Sequence, residues 1–160
     1  MTRHDLLPPL ASDGRLALTE PELVDWGMRL GRQITPPYVI TLDGDLGAGK
    51  TTLARAIARG YGVREEITSP TFAIVHVYEA PRSQVYHLDL FRLEGPADLQ
   101  NVGWDDIMQS DALVLIEWPE RAGDLLPADH APIQLRHVDG DTDRRVLYAG
   151  GHIGHQTGVR

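Results

Sequence analysis

Apolar residues recur at Leu23, Trp26 and Leu30, with Met28 beside them, at the spacing of one helix face. Thr19-Glu20-Pro21-Glu22 stands ahead of them as a capping box with proline in the first turn. A helix is therefore predicted over Thr19 to Gln33, before Thr35-Pro36-Pro37 breaks the chain. Tyr38 to Asp43 (YVITLD) is a β-branched and apolar run of the kind buried on both faces in a parallel sheet. Leu53, Ala54, Ala56, Ile57 and Ala58 return to helical spacing, and Gly60-Tyr61-Gly62 ends that helix. Thr71 to Tyr78 and Gln84 to Leu90 read as two strands joined by a short turn at Pro81, hence a hairpin. Residues from about Pro96 to Ser110 are helical in pieces, and Ala112 to Ile116 (ALVLI) is a second fully apolar strand. Ile133 to Val138 and Arg144 to Tyr148 flank the turn Asp139-Gly140-Asp141 and form a second antiparallel pair. The order helix, strand, helix, hairpin, helix, strand, hairpin predicts an α/β fold with one mixed central sheet flanked by helices.

The 160 residues (17.7 kDa) fit one domain over 1–150, with the first ten or so residues frayed and 151–160 a flexible tail. Fifteen basic against 23 acidic residues leave a net charge of −8, which argues against a chain that grips nucleic acid by neutralising phosphates. The absence of cysteine excludes disulfides, thiolate catalysis and cysteine zinc sites. No apolar run is long enough to span a membrane, and MTRHDLLPPL lacks a signal peptide's unbroken apolar stretch, so a cytoplasmic protein is expected. Fourteen of the 15 basic residues are arginine, and the one lysine is Lys50.

That lysine closes Gly44-Asp45-Leu46-Gly47-Ala48-Gly49-Lys50-Thr51, which fits G-x-x-x-x-G-K-[ST] at every position and sits between a predicted strand and a predicted helix. Glycines let consecutive N–H groups turn inward as a nest for phosphate, and the helix N-terminus adds its positive end. The fold expected is therefore P-loop NTPase-like. Nucleotide contacts are expected from Asp45, Leu46, Gly47, Ala48, Gly49, Lys50, Thr51 and Thr52, with Lys50 on the β- and γ-phosphates and the Thr51 hydroxyl on Mg²⁺. ATP is favoured by elimination. The guanine-reading N-K-x-D motif is impossible when the lone asparagine is Asn101 and the lone lysine belongs to the loop.

ALVLI runs directly into Glu117, a carboxylate at a strand end placed to hold the metal, to polarise the attacking water, or both. Strand period puts His87, Asp89 and Phe91 on one face of HLDLF and Leu88 and Leu90 on the other. Asp89 is a candidate to accept from a metal-bound water or orient the nucleophile. For His87, a hydrogen bond to backbone and a functional role weigh about equally. Arg92 reads either as a γ-phosphate stabiliser or as an exposed strand-end residue. Thr68-Ser69-Pro70-Thr71 is a Ser-Pro turn whose hydroxyls a switch loop would also use.

LDGDLGAGKTT, TSPTF, YHLDLFRL and IEWPER, in that order between Val39 and Arg121, resemble the TsaE (YjeE) family. The resemblance implies a slow, Mg²⁺-dependent P-loop ATPase. It implies partners of the TsaB and TsaD type, and a role in forming N6-threonylcarbamoyladenosine at position 37 of tRNAs that read ANN codons. Contact with tRNA would run through that complex. By the same likeness Thr51 and Glu117 are Mg²⁺ ligands, with Asp89 essential for hydrolysis and counted with the metal site. Ser69 and Thr71 belong to a switch-like loop, Trp118 lies beside the nucleotide, and Arg145 of the last hairpin touches it. The family's threonine contact from the N-terminal helix falls at Leu23 here, with Thr19 a turn earlier. Two other readings share the loop. A small-molecule kinase would need an acceptor pocket and helices where the hairpin Thr71–Leu90 stands. An ATP-sensing module would bind without turnover.

Overall fold

The computed structural model describes residues 15–67 and 73–149, so the expectations placed on the chain's two ends and on Thr68 to Thr71 lie outside the described residues. Its elements in chain order are β1 (Arg15–Thr19), α1 (Glu20–Gln33), β2 (Tyr38–Gly44), α2 (Lys50–Tyr61), β3 (Val75–Glu79), β4 (Gln84–Asp89), α3 (Trp104–Met108), β5 (Leu113–Glu117), β6 (Ala131–Val138) and β7 (Asp141–Tyr148). A 3-10 segment, Pro96–Val102, leads into α3. The strands form one mixed sheet in the order β1-β7-β6-β2-β5-β4-β3. β2 runs parallel to β5 and β6, and β4 runs parallel to β5. The pairs β3/β4, β6/β7 and β1/β7 are antiparallel.

This is the expected α/β, P-loop NTPase-like architecture, with two differences. The chain of described elements opens on a strand, not a helix. RLALT is too short for its alternation to register, and it becomes a strand by pairing along β7, from Arg15 opposite Tyr148 to Thr19 opposite Arg144. Asp141 belongs to β7 rather than to the turn, which is made at Gly140 with φ 77°. The helix start is as expected. Thr19 caps α1, and the Glu22 carboxylate accepts from the Thr19 backbone N–H (2.9 Å) and hydroxyl (3.0 Å).

Two apolar clusters cover the two sheet faces. Leu23, Trp26 and Leu30 of α1 and Leu53 and Ile57 of α2 pack with Leu42, Leu115, Ile133 and Leu135. Leu99, Trp104 and Ile107 pack with Val39, Leu88, Val114 and Ile116 on the other face. Burial on both sides is why β2 and β5 carry no polar alternation. It also corrects the reading of β4, in which Leu88 and Leu90 alone point inward: His87 is 1% exposed.

α1 and α2 approach so closely that glycine is required at the crossing. A Cβ at Gly31 would lie 2.1 Å from the Ile57 carbonyl oxygen, and one at Gly60 would lie 2.1 Å from that of Met28. Backbone cannot yield as a side-chain tip does. Gly31→Ala is expected to cost about 2–3 kcal/mol of stability by prying the helices apart. Urea denaturation would read it, and a midpoint equal to that of the unsubstituted chain would refute the tight crossing. The same contact seats α2, and with it the loop at its N-terminus.

Candidate nucleotide site

β2 delivers the chain at Gly44 to the mouth of a cleft of about 370 Å³. Gly44, Gly47 and Gly49 have φ of 155°, 79° and 107°, and the last two hold the left-handed turns that fold the loop back over the helix start. No side chain caps α2, so the N–H groups of its first turn remain open to an anion. The cleft is lined by Glu20, Leu46, Gly47, Gly49, Lys50, Thr51, Thr52, Asp89, Phe91, Glu117, Trp118 and Arg145.

Lys50 is 5% exposed. Its Nζ donates to the carbonyls of Gly44 (2.7 Å) and Asp45 (2.8 Å) and stands 4.2 Å from the Trp118 ring centroid. Burial pulls its pKa below the ordinary lysine value, opposed by the charges of Glu117, Asp43, Glu120 and Asp45. Trp118 sits at φ 59°, alone among the described non-glycine residues at positive φ. That conformation costs about 1–2 kcal/mol. It turns the chain between Glu117, which faces α2, and a ring that packs against Phe91 with centroids 4.8 Å apart and planes tilted by 46°.

Beside the loop the Thr51 hydroxyl donates to Glu117 Oε1 (2.9 Å) and lies 3.2 Å from Oε2. The parallel register of β4 and β5 sets Asp89 opposite Glu117. Asp89 Oδ1 accepts from the Phe91 N–H at 3.0 Å. Burial, reinforced by the Glu117 charge, raises the Asp89 pKa above the ordinary aspartate value, against the pull of that hydrogen bond, His87 and Lys50. Among the described residues no group of three His, Asp or Glu could hold a metal by itself. A hydroxyl and a carboxylate at 2.9 Å, with a second carboxylate next to them, instead suit a hard cation that takes its remaining oxygens from phosphate and water.

The raised Asp89 pKa makes a pH prediction. The neutral acid is favoured in the folded state, so its contribution to stability is complete below the ordinary aspartate pKa of about 3.9 and is lost as pH rises through the higher folded value. Asp89→Asn does not titrate and keeps an oxygen for the Phe91 N–H. The nucleotide-free variant is expected to melt higher than the parent at neutral pH, with the gap closing toward pH 4. Parallel melting curves across that range would contradict the burial.

Of the residues singled out in the sequence, Leu46, Gly47, Gly49, Lys50, Thr51, Thr52, Asp89, Glu117, Trp118 and Arg145 line the cleft. Asp45 is exposed and lends its carbonyl to Lys50, and the Ala48 side chain is buried away from the cleft. Ser69 and Thr71 lie outside the described residues. Leu23 is fully buried, with its Cδ2 3.1 Å from where a Cβ on Gly49 would be, so it underlies the loop. Arg92 is exposed and does not line the cleft. His87 meets a side chain, Glu117, rather than the backbone group considered for it. Arg145 has buried Nε and Nη1 atoms with no hydrogen-bond partner among the described residues. Two orphaned donors of a cation at the edge of the cleft are what an anionic ligand would satisfy. Glu20 and Phe91 were not foreseen as lining residues. The alternation that grouped Phe91 with His87 and Asp89 was the available signal, while nothing local marked Glu20.

The family model described as threonylcarbamoyl adenosine biosynthesis protein TsaE matches residues 18–146, well beyond the stretch that carries the motifs. The chain is 38% identical over 124 residues to the tRNA threonylcarbamoyladenosine biosynthesis protein TsaE of Treponema pallidum, covering 78% of this chain and 90% of that protein. It is 34% identical over 113 residues to the protein of the same name from Bacillus subtilis, covering 71% and 70%. The crystal structure of YdiB from Bacillus subtilis superposes with a TM-score of 0.68 at 28% identity, covering 88% of this chain and 89% of that one.

Proposed function

This chain belongs to the TsaE family of tRNA threonylcarbamoyladenosine biosynthesis proteins, and on that premise we propose that it is a Mg²⁺-dependent ATPase acting with TsaB- and TsaD-type partners. The observation that carries this reading is the Thr51 hydroxyl hydrogen-bonded to Glu117 at the mouth of an uncapped, glycine-lined helix N-terminus.

Lys50 leaves the Gly44 and Asp45 carbonyls for the β- and γ-phosphates, while the amides of the loop and of the first turn of α2 take the phosphate oxygens. Thr51 and Glu117 would hold Mg²⁺, which would supply positive charge to offset that of the phosphates. The unpartnered Nε and Nη1 of Arg145 donate to the nucleotide. Asp89, beside Glu117, orients the attacking water. The water oxygen bonds to the γ-phosphorus, the bond to the β,γ-bridging oxygen breaks, and ADP and inorganic phosphate leave with the water's proton released.

The acidic surplus of eight charges suits a subunit that meets tRNA through its partners rather than by itself. Leu46 (73% exposed) and Phe91 (41%) give the cleft an apolar rim of the kind a protein partner covers. No helix among the described residues is long and apolar enough to cross a membrane.

The test is phosphate release from ATP by the chain alone and with purified TsaB and TsaD, in Mg²⁺ and in EDTA. Turnover that rises with the partners and disappears in EDTA is expected. ADP formed with the γ-phosphoryl group carried onto an added small-molecule acceptor, and no free phosphate, would make the protein a kinase. Binding with no turnover in any combination would make it a nucleotide sensor.

A further inference from the structure

His87 lies in β4 with β3 on one side and β5 on the other. On the α2 side of the sheet it has the buried apolar Val85, Leu113 and Leu115 on one flank and the half-buried His76, opposite it on β3, on the other. Within that surface its Nε2 lies 2.6 Å from Glu117 Oε2, and each side chain is 2% exposed. An ionised carboxylate only accepts, so Nε2 carries the hydrogen. Thr51 donates to the same carboxylate from the α2 side. Glu117 is thus held between two donors, one from the phosphate loop's helix and one from the sheet.

Such a pair is poorly explained by stability. A buried ionisable pair gains little over apolar residues of the same volume, such as those at Val85, Leu113 and Leu115 beside it. The two donors also differ in what nucleotide binding asks of them. In the site proposed above the Thr51 oxygen also gives a lone pair to the cation, so its hydrogen bond to Glu117 is tied to what occupies the cleft. The bond from His87 asks nothing of the cleft and persists.

We propose that His87 is the positioning residue for Glu117, keeping its carboxylate aimed at the cation site whether or not the cleft is occupied. The inference rests on the proposed reading of Thr51 and Glu117 as the oxygens that hold Mg²⁺. His87 touches neither nucleotide nor metal and acts through Glu117, as outer-shell partners of metal ligands do.

His87→Leu removes the donor at similar volume, and His87→Gln returns one at the position of Nε2. Binding of a fluorescent, non-hydrolysable ATP analogue is measured in EDTA and across a Mg²⁺ titration, with thermal melting and steady-state ATPase alongside. The Leu variant is expected to bind the analogue in EDTA within about twofold of the parent and to need about tenfold more Mg²⁺. Its kcat should fall more than its KM changes, and His87→Gln should recover most of both effects. Should the Leu variant fail to fold, His87→Asn, polar but too short to replace Nε2, makes the same comparison. A parental Mg²⁺ midpoint in the Leu or Asn variant would overturn the assignment, as would a Gln variant impaired as deeply as Leu. A parent chain whose binding ignores Mg²⁺ would overturn the reading of Thr51 and Glu117 and this inference with it.

Discussion

Lys50→Ala is expected to weaken ATP binding by about 100-fold, the loss of roughly 3 kcal/mol from two charge-assisted hydrogen bonds to phosphate. Lys50 is the lone lysine of the chain, and among the described residues Arg145 is the other cation lining the cleft, so no second ammonium stands in beneath the β- and γ-phosphates. The substitution also takes a donor from the Gly44 and Asp45 carbonyls. That cost of about 1–3 kcal/mol is well below the stability of an ordinary domain, so the fold should persist. Calorimetric titration with ATP, paired with a thermal melt, separates the two effects. An affinity within threefold of the parent's would remove the phosphate-binding assignment of the loop.

Glu117→Gln should leave ATP bound and lower its turnover about 100-fold or more. The amide fills the same volume, and its oxygen still accepts from His87 or Thr51. It lacks the charge that makes a carboxylate a ligand for a hard cation or a partner for the attacking water. In EDTA, where the metal plays no part, nucleotide affinity should stay within a few-fold of the parent. Steady-state phosphate release with partner proteins measures the loss, and turnover at the parent rate would exclude Glu117 from the chemistry. The two variants fail differently, since Lys50→Ala loses the ligand and Glu117→Gln keeps it without consuming it.

How far the site could be read in advance depends on how local each part is. The phosphate loop is eight consecutive residues whose backbone conformations follow from glycine and whose flanks are a strand and a helix, so the whole device is contiguous. Glu117 is legible because the apolar run ALVLI carries the chain straight to it. β1 escapes notice because five residues of weak alternation become a strand when β7 lies alongside. The partner of His87 escapes for a related reason. Period-two alternation tells which side chains share a face, but not which residue of a neighbouring strand they meet.

From the sequence alone followed the order of strands and helices after β1, the single lysine at the head of α2, the resemblance to one family and the residues worth testing. These rest on short-range rules, namely periodicity, capping and the conformational freedom of glycine, that act within a few residues. Tertiary structure decided which of those residues meet. Thr51 and Glu117 are 66 positions apart and His87 and Glu117 are 30 apart. What joins them is the parallel register of β2, β4 and β5 and the glycine-tight seating of α2. Parallel strands have no connecting turn to set their alignment, so it comes from helices and side chains packing on both faces of the sheet at once.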